Sequence, residues 1–217
     1  MARIEIIGLP GSGKTTLLER LQAARPLPPL LAPINPGGIS TIRHALRLAG
    51  KLFLSKGFSS LLARKDATWL FSKLGYRLAG LKMRGGGGIL VDSGVLMPLV
   101  SYASEYANRD AVASDVLGLL PILPRPDGMI YLNSGVDVSL ERYLRRQESM
   151  GRRPGTEIDA RRFAIAQEIC EGIWNFFPED RKFLVAGEGV VTDAALDEIA
   201  CQMRTWFNME NNGHEIS

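Results

Sequence analysis

The chain has 217 residues, of which 46% are hydrophobic and 23% charged, with a formal net charge of +3 and two cysteines. That length and apolar content hold one substantial core, and the mixed charge without low-complexity blocks excludes a disordered or fibrous chain. No apolar run reaches the roughly 18 residues that span a bilayer, and Cys170 and Cys201, which lack metal-ligand spacing, read as buried thiols in a reducing compartment rather than as a disulfide or a catalytic thiol.

Five short aliphatic or β-branched runs are expected to form strands: Arg3 to Ile7, Leu30 to Ile34, Gly88 to Asp92, Gly128 to Asn133 and Lys182 to Ala186. Each is followed by a helical pattern and is nearly all apolar, as strands covered on both faces are. The expectation is therefore an α/β, three-layer fold with a five-stranded parallel sheet flanked by helices. One domain over residues 1–208 is expected, followed by a polar tail over 209–217. With the first strand starting at Arg3, no leader is expected ahead of it, and reduced thiols point to a cytoplasmic location.

The first strand runs into IEIIGLPGSGKTTLLERL, residues 4–21. Gly8, Gly13, Lys14 and Thr15 satisfy G-x-x-x-x-G-K-[ST] between a strand and a helix, which is the context this phosphate-binding loop, the Walker A or P-loop, requires. Its glycines let successive backbone N–H groups curl around a phosphate, and the helix N-terminus adds partial positive charge. Pro10, Gly11, Ser12, Gly13 and Thr16 complete the cradle, Thr16 toward the α phosphate. Lys14 is assigned to the β and γ phosphates and Thr15 to Mg²⁺, so the ligand is a nucleoside triphosphate with magnesium.

Beyond the Pro-rich stretch 26–36, the chain spends some fifty residues, about 37–84, on helical material such as TIRHALRLAGKLFL and ATWLFSKLGYRLAGLKM. Between Arg43 and Arg84 ten Lys or Arg face a single acid, Asp66. Three readings of this insertion stand open. Arg43, Arg47, Lys73 and Arg77 can clamp the phosphate or carboxylate of an acceptor; the same charges can keep an amphipathic helix pair soluble; or the Leu- and Lys/Arg-rich surface can meet an anionic membrane or a lipid-linked substrate. A nucleic-acid partner is not expected, because no stacking aromatics are interleaved with the basic residues.

Asp92 ends the third strand run, where a carboxylate can hold Mg²⁺ through water, accept a proton from an attacking hydroxyl, or simply cap the next helix. Leu96 to Leu120 reads as one long helical region. After the fourth strand, Arg142, Arg145 and Arg146 share a helical face, and Arg152 and Arg153 follow on a loop marked by Gly151 and Gly155. Such a cluster is either a solvated basic face or a lid, about 142–156, that closes guanidinium groups over a migrating phosphoryl group.

From end to end the chain is similar to thymidylate kinase and its nucleoside-monophosphate kinase relatives. The resemblance rests on the P-loop, on NPGGISTIRHAL beside that family's E-P-G-G-T element, on ILVDSG at the place of its D-R-Y element, and on DGMIYLNSGVDVSLERYLRRQESMGRR as its fourth strand, arginine helix and lid. It implies ATP as donor, an adenine-covering loop at VAGEGVV (185–191), and a homodimer. The acceptor half departs from the pattern: Asn35 stands for Glu, Ser93 for Arg, and Leu74 and Gly75 for an Asp-Arg pair. A small-molecule kinase is thus expected, using Mg·ATP on an anionic or hydroxyl-bearing acceptor other than dTMP, with Lys14, Asp92, Arg142, Arg146, Arg152 and Arg153 as its catalytic set. A nucleotide-dependent binding or regulatory module is the competing expectation.

Overall fold

The computed structural model describes residues 3–24, 41–47, 50, 67–82, 89–92, 94–105, 112–152, 156–186 and 191–212. Strand β1 (Arg3–Ile7) leads through the P-loop into α1 (Lys14–Ala24); α2 (Ala67–Lys82) precedes β2 (Ile89–Asp92), and α3 (Met97–Glu105) and α4 (Val112–Leu117) follow it. Then come β3 (Gly128–Asn133), α5 (Val136–Ser149), α6 (Thr156–Phe176), β4 (Lys182–Ala186) and α7 (Asp193–Asn212). The expected strand at residues 30–34 lies outside the described residues.

The four strands pair in parallel in the order β2-β1-β3-β4. Ile6 is level with Asp92 of β2 and with Ile130 of β3, so the carboxyl ends of β1, β2 and β3 finish side by side. The chain order reverses across β1, and open α/β sheets bind ligands in the crevice that such a reversal leaves outside the strand ends.

Period-two alternation separates two cores. Ile4 and Ile6 of β1, with Ile130 and Leu132 of β3, meet Leu17 and Leu21 of α1 and Leu196 and Trp206 of α7. Ile7, Met129 and Tyr131 face the opposite way, against Leu70 of α2, Leu99 of α3, Val116 of α4 and Ile169 of α6. Helices therefore cover both faces of the sheet, which keeps the strands largely apolar, with Glu5 of β1 and Lys182 of β4 as buried charged exceptions.

Over the expected helical region Leu96 to Leu120 the described residues form α3 and α4, and residues 106–111 lie outside the described residues. At its far end the backbone tightens: the Leu119 N–H donates to Val116 O (3.1 Å) and the Leu120 N–H to Leu117 O (3.0 Å), three residues back rather than four. Gly118 and Pro121 bracket this tightening, and a proline cannot continue a helix.

On the basic insertion, the helical residues 41–47 lie across α2 at Gly75. A Cβ there would stand 2.6 Å from Thr41 O and 2.9 Å from Ala45 Cβ. Gly75 thus permits a close helix crossing. No described helix is long and apolar enough to cross a membrane.

Candidate active site

The P-loop is locked by close approaches that only glycine allows. A Cβ on Gly8 would lie 2.5 Å from Leu132 O of β3, and one on Gly11 would meet Ser139 O of α5, with Gly11 at φ +82°. The loop therefore packs on β3 and α5 through bare backbone. Within it the Ser12 N–H donates to Leu9 O (3.1 Å), and the Leu17 N–H to Gly13 O (2.9 Å) starts α1. Ser12 Oγ is buried without a hydrogen-bond partner among the described residues. An unsatisfied hydroxyl beside a ring of amides is a donor waiting for an acceptor.

Lys14 Nζ folds back over the loop and donates to Gly8 O and Leu9 O, each at 2.8 Å. Burial holds its ammonium below the ordinary 10.5, while the Asp92 carboxylate and then Cys170 act in the opposite sense. An anion entering the cradle competes for those Nζ–H donors and supplies the counter-charge that the carbonyls only approximate. Behind the loop, Cys170 of α6 accepts from the Gly8 N–H, and its thiol is pushed up to about 12, chiefly by burial. It is a neutral, inert thiol at physiological pH, so it supports the loop and is no nucleophile.

Asp92 stands at the end of β2 and lines the same cavity as Lys14 and Thr15. Its approach is set by Glu5, fully buried in the middle of β1. The Glu5 carboxylate accepts from the Val95 and Leu96 N–H groups, both at 3.0 Å, and pairs with Arg3 Nε at 3.2 Å. It therefore caps α3 and ties the turn after Asp92 to the central strand; a side chain on Gly94 would strike this carboxylate. Glu5 thus caps that helix.

The arginines divide. Arg142 and Arg146 are one turn apart on α5 and line the cavity, as does Arg152 just past the helix end, where Gly151 turns with φ +70°. Arg145, expected on the same face, instead pairs with Glu141 at 2.5 Å and is well exposed. The correction is geometric: at 100° per residue, neighbours 145 and 146 cannot both face one point, and the Glu141 carboxylate one turn back claims the outer position. Arg153 and Asn35 lie outside the described residues.

These groups surround a single cavity of about 850 Å³ that contains Pro10 to Thr16, Asp92 and the three arginines. Its far end is lined by Arg20, Val185, Ala186, Val191, Thr192 and Ala195. That wall includes both ends of the segment expected to cover a base; its middle, 187–190, is outside the described residues. The cavity thus joins a cationic, amide-rich end to a mostly apolar end, which suits an amphipathic ligand with a phosphate tail.

The residues expected on the acceptor side are not brought to this cavity. Arg43 and Arg47 line an open hollow of about 460 Å³ with Ile42 and Leu46. Lys73 Nζ stands 5.7 Å from the Trp69 ring centroid, and the Arg77 guanidinium 6.0 Å from that of Tyr76. The sequence flags neither Glu5 nor Arg20 as part of the site, and it gives Cys170 only as a buried thiol. A glutamate inside the apolar run RIEII was a signal for the first; the other two have none, because their partners lie more than a hundred residues away.

No family model matches the chain, and no curated protein matches it. Among solved structures it is similar to a deoxyadenosine kinase from M. mycoides with bound dATP, at 17% identity and a TM-score of 0.56 over 93% of this chain and 99% of that one. The same kinase with bound dCTP matches at 16% identity and a TM-score of 0.55, over 94% and 99% of the two chains. At such identity the likeness is one of fold: the chain has the α/β P-loop fold seen in that deoxynucleoside kinase, with parallel strands flanked by helices.

Proposed function

We propose that the protein is a phosphotransferase that moves the γ-phosphoryl group of Mg·ATP to a small acceptor, a hydroxyl of a nucleoside-like molecule. The observation that carries this reading is the convergence of the P-loop, Asp92, Arg142, Arg146 and Arg152 on one cavity. A binding module needs the cradle; a carboxylate and three guanidinium groups aimed at the same space are what transfer needs in addition.

Magnesium and a triphosphate fit the residues present. Gly8 and Gly11 let the loop lie against β3 and α5 on bare backbone, and the Ser12 hydroxyl, without a partner among the described residues, belongs to a residue that lines the cavity. Among the described residues no cluster of three His, Cys, Asp or Glu could hold a metal by itself. Magnesium suits such a site, because it keeps its waters and relies on one or two protein ligands plus substrate phosphates. The Thr15 hydroxyl and Asp92 would hold it, and it would neutralise charge on the phosphate oxygens. Lys14 neutralises the tail, the arginines bind the migrating group and exclude water, and Asp92 accepts the proton from the attacking hydroxyl.

Three features support a hydroxyl rather than a phosphate acceptor. Asp92 reaches the cavity as a potential base, which an already anionic acceptor would not need. The similar kinase carries deoxynucleotides in its structures, dATP and dCTP among them. Arg43, Arg47, Lys73 and Arg77, the cations best suited to a second phosphate, stand elsewhere. The test is transfer of label from γ-labelled ATP with Mg²⁺ to deoxynucleosides, ribonucleosides and nucleoside monophosphates, dTMP included. Label on a nucleoside hydroxyl is the expected outcome. Label on monophosphates alone would overturn the choice of acceptor, and no transfer despite tight ATP binding would leave a binding module.

A further inference from the structure

The wall at the far end of the cavity is held by one residue that the catalytic reading does not use. Arg20 lies six residues beyond Lys14 on α1, about 9 Å along the helix axis. Its Nη1 donates to the Val191 carbonyl, and its Nη2 to Asp193 Oδ1 at 2.8 Å, where α7 begins. Three other ties meet at this corner. The Thr192 hydroxyl accepts from the Ala195 N–H at 3.2 Å, the Leu196 N–H donates to Thr192 O at 3.0 Å, and Val191 packs on the core formed by α1 and α7.

We propose that Arg20 is a positioning residue for the base of the donor nucleotide, bracing the start of α7 against α1 so that Val191, Thr192 and Ala195 stand at a fixed distance from α1. This rests on the donor reading given above. Two observations direct Arg20 to the base rather than to the phosphates. Its guanidinium is committed to a carbonyl and a carboxylate of the protein, so its charge is answered locally. Its distance from Lys14 along α1 is on the scale that separates the phosphate tail of a nucleotide from its base. The surface it braces is largely apolar, as the face of a base requires.

The test compares two ligands that share a phosphate tail and differ in the base. Binding of Mg·ATP and of magnesium tripolyphosphate is measured by calorimetry for the wild type, Arg20→Ala, Arg20→Lys and Asp193→Asn. Arg20→Ala is expected to weaken Mg·ATP about tenfold while tripolyphosphate changes less than about twofold, the size of loss that follows when a charged hydrogen bond ceases to hold a binding wall. Arg20→Lys, which keeps the charge and loses the fork, should fall between. Asp193 is 91% exposed, so Asp193→Asn threatens the fold least and should give a smaller loss confined to Mg·ATP.

Equal weakening of both ligands, or no weakening of Mg·ATP, overturns the assignment. If Arg20→Ala does not fold, Arg20→Lys and Asp193→Asn decide by the same ratio, and a ratio unchanged in both overturns it. A wild type that binds tripolyphosphate as tightly as Mg·ATP removes any base seat to brace, while the phosphate cradle stands. A wild type that binds neither overturns the donor reading itself.

Discussion

Lys14 and Arg47 each carry one positive charge. Lys14 is set against two backbone carbonyls at the floor of the cavity, whereas Arg47 stands exposed on the helical residues 41–47, beside Ile42 and Leu46. The P-loop end of the molecule holds few charges in fixed backbone; the basic insertion holds many on helix surfaces. A charge on rigid backbone out of water acts over the short distances where phosphoryl transfer happens, and an exposed one is screened within about 8 Å at physiological salt. Charge count along the sequence therefore pointed to the insertion, while geometry points to the loop.

The strongest way to break this contrast is at Lys14. Lys14→Ala is expected to lower turnover by about a hundredfold or more, by removing one preorganised cation from the migrating charge. Its stability should carry a pH signature. Burial keeps the Lys14 pKa in the folded protein below 10.5. Between that lowered value and 10.5 the unfolded chain binds more protons than the folded one, so wild-type stability rises with pH across the window. Lys14→Ala lacks this rise, and denaturant titrations should show the difference moving in favour of the wild type as pH approaches 10.5. A constant difference would mean that the ammonium is not buried in solution.

Asp92→Asn comes next. If the carboxylate accepts the proton, turnover should fall about a hundredfold with Mg·ATP affinity nearly kept, as single-turnover kinetics with calorimetry would show. Because Glu5 caps α3, the start of that helix should survive the change. A large drop in melting temperature without a kinetic defect would return Asp92 to a structural role.

Gly11→Ala sharpens the backbone half of the comparison. The new methyl would meet Ser139 O on α5 at a positive φ, and strain of this kind costs about 1–3 kcal/mol. Reduced thermal stability and weakened nucleotide binding should appear together, because one contact serves both. The smallest effect is expected at the other region. In Arg43→Ala with Arg47→Ala, Mg·ATP affinity should stay within about twofold, as it does when exposed charges away from a site are removed. A large loss would show that the insertion reaches the donor, and a selective rise in the KM for an acceptor would assign these arginines to it.

Legibility followed the distance between partners. The P-loop could be read because its chemistry is local: strand, turn, glycines and lysine lie within a dozen consecutive residues. The four described strands fall where aliphatic runs placed them, since burial on both faces forces an apolar sequence. Arg142 and Arg146 were found by helical spacing, but the same spacing included Arg145, and only the nearby Glu141 shows that Arg145 turns outward.

What the sequence alone determined was the kind of fold and the phosphate-loop motif that motivates a nucleotide ligand, because hydrophobic period and backbone permissiveness are written residue by residue. Tertiary structure decided which charges share a cavity. It brought β1, β2 and β3 to a common edge, set Asp92 beside Lys14, let Glu5 cap α3, and left Arg43 and Arg47 in a separate hollow. Those outcomes depend on strand order and helix crossings at places such as Gly75, where contacts join residues far apart in the chain. A pattern that repeats every two or four residues carries no record of them.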